Sequence, residues 1–208
     1  MLSYVISHNI DTRILRQAAD LLNQGGLVAF PTDTSWSIGC SIHSKTGIAK
    51  LKLLKASESF TPSIICSHIS QISDFVNLDT AAFRYIKRLV PGPFVFILQP
   101  FGAIEKKVSM KRLEVGLRLP NHPIPIALVE ALGHPLFAIT ASRQMAEEDW
   151  LDASFAEEQL FEEGYELVEI PQIDLVLDGG DPLPKVLSTI ISLKDGPPII
   201  LRQGIGLV

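Results

Sequence analysis

The groups able to do chemistry in this chain sit at the ends of apolar runs. Residues 26–31 form one such run, which breaks at Pro31 into Thr32-Asp33-Thr34-Ser35. Two threonine hydroxyls, a carboxylate and free backbone N–H groups at a sheet rim suit a small polar ligand. The same residue types also make turns, so ligand contact and a plain turn are both open at this level. Arg118 lies within the alternating segment Val115-Gly116-Leu117-Arg118-Leu119-Pro120. A guanidinium in such a strand requires an anionic partner, from the protein or from a ligand carboxylate or phosphate. Thr140 and Ser142 end another apolar run, and Ser188 and Arg202 do the same near the C-terminus. Lys55 ends a lysine-rich helical stretch, where it either reaches a phosphate or lies in solvent favoured by the helix dipole. Together these strand ends outline a cleft for an anionic polar ligand.

Other chemistries are excluded. His8, His43, His68, His122 and His134 show no i,i+4 pairing and no His-Glu-x-x-His spacing, so no histidine metal site is expected. Cys40 and Cys66 are the only cysteines, which fits a reducing cytoplasm and excludes a zinc cluster built on cysteine alone. The chain has no Gly-x-x-x-x-Gly-Lys-Ser/Thr loop, no Gly-x-Gly-x-x-Gly and no Gly-x-Ser-x-Gly elbow. A nucleotide would need a different cradle.

The elements that must position these groups follow from periodicity and punctuation. Asp11 caps a helix over 12–24, stopped by Gly25, and strands follow at 26–31 and 37–42. Ser44 caps a helix over 45–56, and 62–66 is a short buried strand. A short helix covers 69–75. Asp79 caps a helix over 80–89, and Pro91-Gly92-Pro93 breaks the chain. Strands at 94–98 and 114–119, a helix over 123–132 ended by Gly133, and a strand at 136–140 come next. An acidic helix is expected over 154–163 and a strand over 173–177. Residues 188–193 and 199–202 read as a hairpin around Asp195-Gly196-Pro197-Pro198. Interleaved helices and strands without strict βαβ order predict one α/β domain over 1–208, with a core of about 10–205 and a twisted mixed sheet flanked by helices.

The chain has 208 residues, 47% of them hydrophobic, enough to bury a sizeable core. No stretch of about 18 uncharged apolar residues marks a membrane span, and the start lacks the pattern of a signal peptide. A net charge of −5 alone argues against nucleic acid. Yet residues 43–122 hold 12 of the 18 Lys and Arg and only 5 of the 23 Asp and Glu, which allows a basic face.

These markers, in this order, resemble the YrdC-like family, whose enzymes make threonylcarbamoyl-AMP for tRNA modification. The resemblance spans about residues 14–204. It rests on Gly25-Gly26 through Pro31-Thr32-Asp33-Thr34, Pro91-Gly92-Pro93, Val115 to Pro120 with His122-Pro123, Ser188-Thr189-Ile190-Ile191, and Ile200-Leu201-Arg202-Gln203-Gly204. It implies a twisted α/β sheet with a cationic concave surface. It also implies ATP and threonine as substrates, joined with bicarbonate, and Mg²⁺ as helper. By position, Lys55 and Arg118 would be catalytic. Thr32, Thr34, Thr61, Cys66, Thr140, Ser142, Ser188 and Arg202 would line the threonine and nucleotide ends.

The chain departs from the synthase pattern. Lys-x-Arg becomes Lys55-Ala56-Ser57, Ser-x-Asn becomes Thr140-Ala141-Ser142, Asn-Pro becomes Thr61-Pro62, the following His becomes Cys66, and Tyr-Gly becomes Trp36-Ser37. This pattern is closer to the YciO-type branch. The additional C-terminal domain of longer synthases is not expected. The alternative is a protein that binds double-stranded RNA, tRNA or rRNA without synthase activity, using Lys50, Lys52, Arg84, Lys87 and Arg88 to read A-form phosphates.

Overall fold

A computed structural model describes residues 1–55, 62–100, 114–143 and 157–208. The elements run β1 (Leu2–Tyr4), α1 (Thr12–Asn23), β2 (Val28–Phe30), β3 (Ser37–Ser41), α2 (Lys45–Lys55), β4 (Ser63–Ile65), α3 (Thr80–Leu89), β5 (Phe94–Leu98) and β6 (Val115–Arg118). They continue with α4 (Pro123–Leu132), β7 (Leu136–Thr140), β8 (Leu175–Asp178), β9 (Thr189–Ser192) and β10 (Ile199–Arg202).

The helix punctuation acts as read. Asp11 accepts the N–H of Arg13 at 2.8 Å and opens α1. Gly25 closes it at φ +86°, where a Cβ would also meet Thr46 at 2.9 Å. Ser44 accepts from Gly47 at the start of α2, and Asp79 accepts from Ala82 at the start of α3. Gly133 ends α4 in the left-handed region.

The described strands form one mixed sheet in the order β1-β8-β2-β3-β7-β4-β6-β5-β9-β10. Residue alternation splits its side chains between two apolar layers. Ala29, Ile38, Phe96, Leu117 and Phe137 pack with Ile48 and Leu51 of α2 and Ile86 of α3. Val28, Phe30, Ala138 and Leu177 pack on the other face with Leu15 and Leu22 of α1 and Ile124 and Leu128 of α4. Each large aliphatic side chain so buried contributes about 1.5–3 kcal/mol. This is the expected single α/β domain. Among the described residues no helix is long and apolar enough to cross a membrane.

Two features differ from the sequence expectation. Strand β1 has no counterpart there, because its three residues gain strand character only by pairing in parallel with β8. The described part of the expected acidic helix is a single 3-10 turn, Glu157–Gln159. The backbone beyond it is engaged in tertiary contacts instead of i→i+4 bonds. Leu160 bridges Ser142, and the Glu162 carbonyl accepts from Trp36 Nε1 at 3.2 Å and from the Leu183 N–H at 2.9 Å. A further 3-10 segment, Gly164–Glu169, follows, and the short helix expected over 69–75 is likewise of the 3-10 kind, Ile69–Asp74.

Candidate functional site

The site is built on the corner between β2 and β3. Beyond Phe30 the chain turns through Thr32, whose Oγ1 accepts the N–H groups of Thr34 and Ser35 at 3.2 Å each and donates to the Ser35 carbonyl at 2.6 Å. Thr32 is therefore the internal brace of the turn. Of the two alternatives open in the sequence, the turn is present: Thr32 makes it, and Thr34, also fully buried, lies 3.2 Å from it, hydroxyl to hydroxyl.

Arg118 meets this corner. Its Nη2 donates to Asp33 Oδ1 at 2.7 Å and to Thr34 Oγ1 at 2.7 Å, with Thr32 Oγ1 further away at 3.1 Å. Two protons serve the two short bonds. The other Asp33 oxygen accepts the Asn121 N–H at 3.0 Å. The anion that Arg118 requires is thus supplied by the protein. The Arg118 side chain is 5% exposed and that of Asp33 is 12% exposed, so this is a buried ion pair. Burial draws the guanidinium below its ordinary value and Asp33 opposes that shift. The Arg118 Nε is buried with no hydrogen-bond partner among the described residues.

Sheet coiling makes the meeting feasible. Strand β6 lies four places from β2 and runs opposite to it. In a flat sheet their C-terminal ends would point apart. A twist of roughly 20–25° per step accumulates to about 80–100° over four steps, so the strands cross and the ends close on one face.

His122 joins the group from the α4 side. It caps α4 by accepting the Ile124 N–H on Nδ1 at 3.3 Å, which leaves the Nε2–H as its donor. Burial lowers its pKa below the ordinary histidine value, with the Asp33 charge opposing. Asp33 as the partner of Arg118, and His122 as cap and neighbour, go beyond the site residues expected from the sequence. A signal for Asp33 exists there: it is the one carboxylate in the polar run, and a strand arginine requires an anion.

The remaining expected site residues are distributed unevenly. Thr140 pairs with Ser37, and the Ala141 N–H donates to the Trp36 carbonyl at 2.8 Å, so Thr140 and Ser142 flank the same corner. Ser188 and Arg202 lie two and three strands beyond β6, where Arg202 Nε and Nη2 fork onto the Ser188 carbonyl at 3.3 and 3.0 Å. Lys55 ends α2 and is only 7% exposed, so it is not the solvated helix end that its position allowed. Thr61 lies outside the described residues. Cys66 belongs to the apolar layer under α2 and α3, on the opposite face from Arg118. Burial, with the Asp74 charge adding, pushes its thiol up to about 12. The five basic residues fall into separate groups. Lys50 pairs with Asp174 at 3.5 Å on one side, while Arg84, Lys87 and Arg88 share α3.

The Sua5_yciO_yrdC family, described as telomere recombination, matches residues 20–204. The chain belongs to the Sua5/YciO/YrdC family. YciO of Escherichia coli, itself described as uncharacterized, is 30% identical over 207 residues, covering 98% of this chain and 95% of that one. The crystal structure of E. coli YciO superposes with a TM-score of 0.84 at 28% identity, over 100% of this chain and 97% of that one. The threonylcarbamoyl-AMP synthase of Bacillus subtilis is 30% identical over 196 residues, covering 91% of this chain and 53% of the synthase. The chain therefore spans about half the length of that enzyme. The structure of Pyrococcus abyssi Sua5 complexed with L-threonine shares the fold, with a TM-score of 0.82 at 24% identity over 98% of this chain and 57% of that one.

Proposed function

We propose that the protein binds the carboxylate of threonine at Arg118 and a nucleotide across the neighbouring strand ends, as a nucleotidyltransferase of the threonylcarbamoyl-AMP synthase kind. The observation that carries this reading is the buried, unpartnered Arg118 Nε–H, beside an Nη2 already fixed by Asp33 and Thr34. A buried donor in that state costs about 1–3 kcal/mol until an acceptor reaches it. With both Nη2 protons engaged, one carboxylate oxygen is an acceptor that suits the remaining Nε–H donor. The synthase names of the Bacillus and Pyrococcus relatives support threonine as its bearer.

In the proposed reaction the threonine amine and bicarbonate condense to a carbamate and water. A carbamate oxygen attacks the α-phosphorus of ATP, the bond from that phosphorus to the bridging oxygen breaks, and pyrophosphate leaves. Arg118 orients the carboxylate and Thr34 offers its hydroxyl beside it. Lys55 supplies positive charge toward the phosphates. Among the described residues no three His, Cys, Asp or Glu gather to hold a metal ion. Mg²⁺ would therefore arrive on the nucleotide's own phosphates, where it screens their charge. Asp33 shares Arg118 with any incoming carboxylate, and Ser142 offers a hydroxyl where the synthases have an amide. Both features slow turnover, the second by about 10²–10³ if that amide contacts the transition state.

Two measurements test the reading. Calorimetric titration with L-threonine is expected to show binding that Arg118→Met abolishes. Incubation with threonine, bicarbonate, ATP and Mg²⁺ is expected to release threonylcarbamoyl-AMP and pyrophosphate. Absence of threonine binding, together with no product above the enzyme-free blank, overturns it.

A further inference from the structure

We propose that the groove between α3 and the β9–β10 turn docks an extended peptide segment of a partner protein in which acidic and apolar residues alternate. The groove encloses about 990 Å³. One wall is the α3 face bearing Arg84, Lys87 and Arg88; the other is apolar, formed by Leu193, Pro197 and Pro198. Arg84 and Lys87 are exposed and make no hydrogen bond or ion pair among the described residues, while Arg88 stands over the Tyr85 ring at 5.6 Å. The acidic group at the groove's end, Asp79, is turned onto its own helix, accepting the Ala82 N–H at 2.7 Å. Unneutralised cations on one wall call for an anion.

The spacing selects its form. Arg84 and Arg88 are separated by a helix rise of about 6 Å. Alternate residues of an extended chain are roughly 6.5–7 Å apart and point the same way, while those between point oppositely. An acidic-apolar-acidic stretch therefore turns its carboxylates to α3 and its apolar side chains to Leu193 and the prolines. The apolar wall continues into β10, the last strand of the sheet among the described residues, where Ile199, Ile200 and Leu201 are 58%, 47% and 37% exposed. Its outer edge offers backbone groups for strand addition.

Nucleic acid suits this groove less well. The wall facing the cations is aliphatic, Leu193 with two prolines, so it gives bases no aromatic platform, and the Tyr85 ring already carries Arg88 on one face. The cationic track also does not continue simply onto α2, since Lys50 is paired with Asp174.

Fluorescence anisotropy with the whole protein tests the proposal. The probes are a labelled Gly-Glu-Leu-Glu-Leu-Glu-Gly peptide, a charge-matched Gly-Glu-Ser-Glu-Ser-Glu-Gly peptide, a labelled oligouridine and a labelled RNA duplex. The leucine peptide is expected to bind at least about tenfold more tightly than the serine peptide or either RNA, a difference of about 1.4 kcal/mol. Arg84→Glu with Lys87→Glu is expected to remove that binding without lowering the melting temperature, because both side chains are exposed. Pro197→Asp is expected to weaken it separately. Equal binding of the two peptides, tighter binding of either RNA, or no binding of the leucine peptide overturns the proposal. None of these outcomes bears on threonine binding at Arg118, which is read separately by calorimetry.

Discussion

Asp33 holds Arg118 at 2.7 Å across 85 positions of chain, and it does so from the corner that also presents Thr34. One carboxylate thereby stabilises the arginine and competes for it. Its removal separates the two effects. Asp33→Ala leaves a buried guanidinium without its anion and is expected to cost about 3–5 kcal/mol in urea unfolding. Asp33→Asn keeps an acceptor in place and is expected to cost less. The neutral amide of that variant no longer competes electrostatically, so threonine titrated into D33N is expected to bind more tightly than into the native protein.

Arg118→Lys tests the guanidinium itself. An ammonium lacks the rigid planar fork that holds Asp33 and Thr34 while fixing a further N–H for a carboxylate oxygen. Loss of one charge-assisted hydrogen bond, about 1.5–3 kcal/mol, corresponds to about a 10–150-fold weaker threonine affinity by calorimetry.

His122 gives the protein a pH-dependent element. Burial lowers its folded pKa below the unfolded value near 6.5, so the unfolded chain binds the proton more readily. Its contribution to stability is complete above about pH 6.5 and is lost as pH falls toward the folded value. Thermal melts between about pH 7.5 and 5, a window set by that reference value, are expected to show a decline that is smaller in His122→Asn. Asparagine retains the cap to Ile124 without titrating.

Both cysteines are fully buried in the apolar layer, and burial pushes each thiol up to about 12. Neither is expected to react with Ellman's reagent in the native protein, and both are expected to react in denaturant. Rapid native labelling of Cys66 would place it in the cleft after all.

Gly164→Ala tests the wall behind Trp36. A Cβ there would fall on the Asp178 carboxylate and lie 2.9 Å from the Trp36 ring. The overlap is expected to cost about 1–3 kcal/mol in urea unfolding. If Trp36 supports the Thr34 corner, threonine affinity drops with it.

Much of the architecture is legible in the sequence because its signals are local. Asp11, Ser44, Asp79, Gly25 and Gly133 mark helix ends through bonds within a few residues, and the structure places those ends within a residue or so of expectation. Arg118 announces its need for an anion. Which anion is not legible, because Asp33 reaches it only through the coiling of intervening strands. Strand β1 and the irregular 157–169 segment escape for a related reason. Their conformations are set by β8, Trp36 and Leu183, which lie far away in sequence. Trp36 itself, a departure from the family pattern, proves to tie the corner to the Glu162 carbonyl.

Strand β8 lies between β1 and β2, yet it is the eighth strand in chain order. During synthesis the edge of β2 that β8 covers stays bare until residue 175 has emerged. At about 5–20 residues per second the intervening 147 residues take roughly 7–30 s. Throughout that interval the backbone edge of β2 at Val28 and Ala29 lacks its parallel partner. Any other strand that paired with that edge first would exclude β8, so the last third of the chain closes a sheet whose site corner is made from residues already synthesised.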